Sequence, residues 1–246
     1  METAEHIRAL DEEGRLLAAA ARKAGTNAEV PTCPDWRVRD LVLHMGAVHR
    51  WAAAFVAEGH PSPRRPDDGP DLDGAPLLAW FEEGHRRLVD TLRAAPADLA
   101  CWSFLPAPSP LAFWARRQAH ETAVHRADAE SALGIPLAEP TADFAVDGID
   151  ELLLGFHARD RSRARTDTPR LLRVRATDTD AAWTVRLSSQ PPATERAEAT
   201  GEALDADCEI AGPAPQLYLS LWNRLPFPAV TGDPSLAALW REAASI

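Results

Sequence analysis

Through the first 140 residues apolar side chains recur every three to four positions, a spacing that commits this part of the chain to helices burying one face each. From Thr3 to Lys23 the stripe is Ile7, Leu10, Leu17 and Ala21, with Gly25 placed to end the helix. Pro34 and Asp35 offer a cap to a second helix, whose stripe of Val38, Leu41, Val42, Met45, Val48, Ala52, Phe55 and Val56 runs to Gly59. Pro61, Pro63, Pro66 and Pro70, interleaved with Asp67, Asp68, Asp71 and Asp73, read as a surface loop. Pro76 then fits the first turn of a third helix, with Leu77, Phe81, Leu88 and Leu92 inward and Pro96 as its stop. Ser109-Pro110 opens a fourth helix that extends to about Leu133, just before Gly134. Four such helices joined by loops predict a bundle.

After Pro140 the period changes. One helix, Ala142 to His157, leads into segments that alternate: Leu172, Val174 and Ala176 against Arg173 and Arg175, then Trp183, Val185 and Leu187 against Thr184 and Arg186. Weaker strand patterns cover Thr194 to Ala199 and Asp207 to Ala211, and helical ones Pro213 to Asn223 and Pro234 to Ala244. The expected fold class is α+β: an N-terminal four-helix bundle over 1–140 and a smaller α+β domain over 141–246.

Charge narrows the partners. The formal net charge of −11, from 26 basic and 37 acidic side chains, repels phosphate backbones and anionic membrane surfaces, so neither nucleic acid nor a membrane is an expected partner. Cys33, Cys101 and Cys208 are an odd number at wide spacing, which suits a reducing compartment rather than a disulfide framework. Met1 to Arg15 is acidic and lacks the basic start and apolar centre of a signal peptide, and Pro106, Pro108 and Pro110 break the apolar stretch around them. These features predict a cytoplasmic protein; oligomeric state has no signature in the sequence.

Glu121 and His125, four apart on the fourth helix, project from one face about a turn apart, close enough to hold one ion. His44 sits in the apolar stripe of the second helix, three after Leu41 and four before Val48, so its ring is expected to point into the bundle. Bundles build metal sites from inward His and Glu on facing helices, and two histidines with one glutamate and an open position form a known zinc arrangement. Asp40 and Asp128 are within a turn of His44 and His125 and could orient them, although spacing alone favours exposed carboxylates paired with Arg37, Arg39 or Arg126. His49 and His120 point roughly away from the faces of His44 and Glu121 and are not expected ligands. His85, on the core stripe of the third helix, is expected to be a packed histidine, with a substrate contact or alternative ligand as the sharper option. The arginines from Arg159 to Arg175 are interrupted by Asp160 and Asp167 and read as a solvated face.

The stretch from Pro31 through Cys33, Pro34, Asp35, Trp36 and Asp40 to His44, followed by that from Arg117 through Glu121 and His125 to Glu130, resembles the mycothiol-dependent maleylpyruvate isomerase family. Ile210 to Gly212, Leu221 to Arg224 and Thr231 to Asp233 carry the likeness into the second half. The resemblance implies a DinB-like bundle followed by a domain similar to sterol-carrier proteins, with the metal ligands falling on His44, Glu121 and His125. It also implies chemistry with mycothiol, a low-molecular-weight thiol whose thiolate adds to the double bond of maleylpyruvate, allows rotation, and is eliminated. Zinc or another divalent metal would activate that thiol, so no protein cysteine is the expected nucleophile, and Cys33 is expected to pack as a small buried side chain. An S-transferase conjugating mycothiol to another small-molecule electrophile would use the same thiolate. A dicarboxylate substrate needs a cationic clamp, for which Arg224 is the candidate, against a plain helix-end arginine. The different class of reading is a non-catalytic binding module, with a structural metal or with an apolar ligand against Trp183 and Trp222, unless those are core side chains.

Overall fold

A computed structural model describes residues 1–197 and 205–243, and the chain divides into two compact units, one of Met1–Ala138 and one beginning at Glu139. In the first unit the apolar stripes become α1 (Thr3–Ala24), α2 (Val38–Glu58), α3 (Gly74–Ala94) and α4 (Pro110–Ser131). The helices form a ring in which α1 packs on α3 and α4, and α2 packs on the same two from the opposite side. Leu10, Leu17, Leu41, Met45, Leu77, Phe81 and Leu88 are sealed from solvent between them. Each such side chain contributes about 1.5–3 kcal/mol relative to exposure.

Helix ends follow local chemistry. Gly25 and Gly59 take positive φ at the ends of α1 and α2, and Ser109 Oγ accepts the Ala112 N–H at the start of α4. The start of α2 differs from the expected cap at Pro34-Asp35. Trp36 donates its N–H to the Cys33 carbonyl and accepts from Val30, closing a tight turn, so the chain stays extended at Arg37 and the helix begins at Val38. There the Asp40 carboxylate accepts the Arg37 N–H at 2.9 Å, which makes Asp40 a helix cap and not a partner of His44. The proline-rich loop after α2 is tied back at both ends: Trp51 Nε1 donates to the Arg64 carbonyl, and the Arg39 guanidinium holds Leu72 O and Asp71.

The second unit contains a five-stranded mixed sheet: β1 (Arg170–Ala176), β2 (Ala182–Leu187), β3 (Ala193–Ala197), β4 (Cys208–Gly212) and β5 (Ala229–Gly232), in the order β3-β2-β1-β4-β5. The β1–β4 pair is parallel and the others antiparallel. Val174 sits opposite Trp183 on one side and Ile210 on the other, a row of buried side chains on one face. Helices α5 (Ala142–Asp150), α6 (Ala214–Leu221) and α7 (Pro234–Ala243) complete the unit. The class is α+β, with four N-terminal helices preceding the sheet domain.

Three details depart from the periodicity. The helix expected to run to His157 widens into a π turn over Glu151–Phe156, where the His157 N–H reaches Leu152 O, five residues back. Strand β5 is exposed throughout and so carries no alternation; it is fixed by pairing with β4, and by Gly232, at φ 81°, where a Cβ would meet Asp207 O at 2.4 Å. Arg173 and Thr184, expected to face solvent, are buried, Arg173 beside Glu209 at 3.5 Å. The expected strand and helix ends at Ala199 and Ala244 lie outside the described residues. None of the described helices is long and apolar enough to cross a membrane.

Candidate metal centre

The facing surfaces of α2 and α4 bring His44, Glu121 and His125 together, with one donor atom from each lying within 4.8 Å of the other two. Glu121 Oε1 is the shared point, 3.7 Å from His44 Nε2 and 3.5 Å from His125 Nε2. Donors bound tetrahedrally to one zinc at about 2.0–2.1 Å lie roughly 3.3 Å apart, so small side-chain adjustments would seat an ion between these three.

The surroundings orient the donors. Asp128 is fully buried, and its Oδ2 lies 2.8 Å from His125 Nδ1 while its Oδ1 accepts from Thr32 Oγ1 at 2.6 Å. A proton on Nδ1 donated to that carboxylate leaves the Nε2 lone pair aimed at Glu121, the tautomer a metal requires. This differs from the expected exposed carboxylate: Asp128 is not paired with Arg126, whose guanidinium binds Glu13 and Glu130. On the other side of Glu121, the buried Arg117 guanidinium lies 3.1 Å from Oε2, leaving Oε1 for the histidines.

Trp36 covers the group. Its ring stacks on His125 at 5.9 Å between centroids and tilts over His44 at 5.0 Å, and the two imidazoles meet edge to face at 5.1 Å. The turn around Cys33 thus serves to deliver an indole onto both rings, whereas Cys33 itself is half-buried and packs at the edge of the bundle core. Sequence reasoning missed Trp36 and Arg117. The signal was available in Trp36, a large aromatic held by prolines just ahead of a ligand-bearing helix.

Titration describes a site that requires positive charge. Burial lowers the proton affinity of His125, but hydrogen bonds to Asp128 and Glu121 and their charges overcome it, raising the pKa to about 9. Burial likewise raises the Glu121 carboxyl, yet His125, His44 and Arg117 hold it well below the ordinary carboxylate range. With both imidazoles neutral, Glu121 and Asp128 outweigh Arg117 by one negative charge, so either a proton or a cation is favoured among them. A divalent ion fits the donor types, their spacing and this charge. The His44 side chain is 37% exposed against 11% for His125, so His44 stands at the rim rather than inside the bundle and leaves one side open for a further ligand.

The remaining histidines of the first unit lie elsewhere. His49 is fully buried with Nε2 2.9 Å from Thr122 Oγ1, and its ring neighbours Phe81 and His85. His85 is also buried, lying flat against the Gly14 backbone with Nε2 3.3 Å from Asp11 O, and burial lowers the proton affinity of both rings. His120 meets His6 edge-on. In the second unit, Arg224 is half-buried and donates from Nη1 to the Trp222 carbonyl at 2.6 Å. Trp183 is wholly buried with its indole N–H on Asp150, and Trp222 is buried too, so both are core side chains of that unit.

Comparison with known families places residues 7–130 in the mycothiol maleylpyruvate isomerase N-terminal domain and residues 143–239 in the corresponding C-terminal domain. No curated protein and no solved structure matches the chain.

Proposed function

From the premise that this chain belongs to the mycothiol maleylpyruvate isomerase family, we propose that His44, Glu121 and His125 hold a divalent metal, zinc in the first instance, and that the site activates mycothiol toward a small-molecule electrophile. The observation that carries this reading is the continuous set of contacts from Thr32 through Asp128 and His125 to Glu121 and His44, which fixes one imidazole tautomer and leaves an exposed side. When bound, zinc lowers the pKa of a thiol or water that completes its coordination, so that thiolate is available near neutral pH.

The chain's own residues then have distinct tasks. Asp128 holds the His125 proton on Nδ1 throughout, and Arg117 keeps Glu121 ionised and limits it to one inward oxygen. Trp36 packs against two imidazoles and removes water from one side of the donors, while the exposed edge of His44 admits the thiol. Addition of the thiolate to an activated double bond would leave an enolate; rotation about the former double bond and expulsion of the thiolate would give isomerisation, whereas return of the thiol's proton to the enolate carbon would retain the adduct and give S-transfer. In the isomerisation branch Arg224 is proposed as the group that binds a substrate carboxylate, since a guanidinium can meet both its oxygens.

The test is metal analysis coupled to turnover. Purified protein should carry about one divalent ion per chain. The His44→Ala variant should lose both the ion and mycothiol-dependent turnover while retaining its helical content. Wild-type protein that consumes mycothiol and electrophile at an unchanged rate after complete metal removal would refute the proposal.

A further inference from the structure

A groove of about 480 Å³ lies between α1 and α3 of the first unit. Asp11, Gly14, Arg15 and Ala18 form its α1 wall at a spacing of three to four residues, and α3 repeats that spacing from Glu82 to Arg93. None of these residues belongs to the metal centre. Gly14, Ala18 and Val89 are buried and give the groove a floor of small apolar groups. His85 completes that floor and is only 5% exposed. Gly14 makes room for it, because a Cβ there would meet the imidazole at 2.2 Å. The Asp11 carbonyl, 3.3 Å from His85 Nε2, can only accept, so Nε2 carries the proton and Nδ1 a lone pair. That Nδ1 is buried without a hydrogen-bond partner, which leaves an unmet acceptor at the base of the groove.

The charges on the rim divide into those already answered and those left over. Asp11 is held by Arg93 at 2.9 Å and by Arg15 at 3.4 Å, and Glu82 is held by Arg22 at 2.6 Å. Arg86 and Asp90 remain. They stand four residues apart on α3, about 6 Å along its axis, a spacing that permits an ion pair. Neither pairs with the other or with any other side chain among the described residues. The groove therefore presents one free cation and one free anion on the same helix, above an apolar floor. A simple anion would be repelled by Asp90 and a simple cation by Arg86, whereas a molecule carrying both charges meets a partner for each.

We propose that this groove binds a free α-amino acid with an apolar side chain. The ligand carboxylate meets the Arg86 guanidinium, which can engage both oxygens, and the ammonium meets Asp90 and supplies a donor to His85 Nδ1. The ligand side chain covers Gly14, Ala18 and Val89, and the groove has room for one of leucine's size. An α-amino acid carries its two charges on one carbon, so it bridges two groups that stand too far apart to pair directly. Occupancy joins α1 to α3 and stabilises the folded bundle, independently of the reaction at the metal centre.

The test titrates the full chain by calorimetry with L-leucine, and with N-acetyl-L-leucine and L-leucine methyl ester, which lack the cation and the anion respectively. Wild-type protein should bind leucine at least about tenfold more tightly than either derivative. Arg86→Gln should bind leucine about tenfold more weakly than wild type, and no better than it binds the methyl ester. Asp90→Asn should show the same loss, and no preference for leucine over N-acetyl-leucine. Both positions are exposed, so circular dichroism should show an unchanged fold. In nitrogen NMR spectra of the histidine side chains, the His85 Nδ1 resonance should move as leucine saturates the protein. Wild-type protein that takes up no leucine at millimolar concentration, that binds all three probes alike, or that is matched by both variants would overturn the proposal. A His85 resonance that stays in place while leucine binds would overturn it too, by locating the amino acid elsewhere.

Discussion

Replacing Asp128 by Asn removes one charge from a fully buried position without changing the side chain's shape, and the metal centre should register it in two ways. Asp128 Oδ2 is 2.8 Å from His125 Nδ1, and its loss deprives the imidazole of the anion that fixes its tautomer. Removing such a partner typically weakens metal binding by about 10–100-fold, or roughly 1.4–2.7 kcal/mol. The same carboxylate also helps to raise the His125 pKa to about 9, so below that pH a metal must displace a proton from the wild-type ring. Wild-type affinity should therefore rise about tenfold per pH unit toward pH 9, whereas the variant, its pKa moved back toward the ordinary value near 6.5, should level off earlier. The difference between the two proteins is then largest near pH 9 and shrinks toward neutrality, where loss of proton competition offsets part of the loss of orientation. Zinc competition against a chromophoric chelator from pH 6.5 to 9, with circular dichroism to verify folding, measures both effects. Equal affinities at pH 9 in a folded variant, or parallel pH profiles, would refute the assigned role of Asp128.

Arg224→Lys keeps the charge but loses the two-pronged geometry, so it should raise KM for a dicarboxylate electrophile by about tenfold while leaving zinc content and KM for mycothiol unchanged; steady-state kinetics with each substrate varied in turn decides this. In the second unit, burial against Trp240 and then the Arg159 charge push His157 down to about 4. Between that pH and the ordinary value near 6.5 the unfolded chain binds a proton that the folded chain does not, so stability is full above about 6.5 and falls as pH drops toward 4, by on the order of 3 kcal/mol. Urea unfolding at pH 7 and pH 4.5 should show His157→Phe losing less stability than the wild type, and equal losses would remove His157 as the cause.

The fold is legible where one face of an element is buried and obscure where burial is complete or absent. Helix α2 and strand β1 announce themselves by period because their stripes, Leu41 to Phe55 and Leu172 to Ala176, are sealed. Strand β5 has no buried side chain to set a rhythm, and the π turn at Glu151–Phe156 breaks the 3.6-residue spacing that would reveal it. Helix α4 is the instructive case. Arg117, Arg126, Asp128 and Glu130 are as buried as its alanines, so its polar residues look like a solvated face in the sequence although they form ion-pair networks in the folded unit. For that reason the four-residue spacing of Glu121 and His125 is readable, and the burial of Asp128 beside them is not. Trp36 is legible as a large aromatic beside prolines, but the placing of its ring over the two imidazoles is not, because that depends on a turn whose hydrogen bonds run between backbone groups of Val30, Cys33 and Trp36.

Zinc K-edge absorption spectroscopy, recorded on the metal-loaded protein before and after mycothiol is added, interrogates the centre itself. The account predicts two imidazole nitrogens and carboxylate oxygen near 2.0–2.2 Å, joined on addition of the thiol by one sulfur near about 2.3 Å. A coordination sphere without imidazole, or one that sulfur never enters at saturating mycothiol, would contradict it.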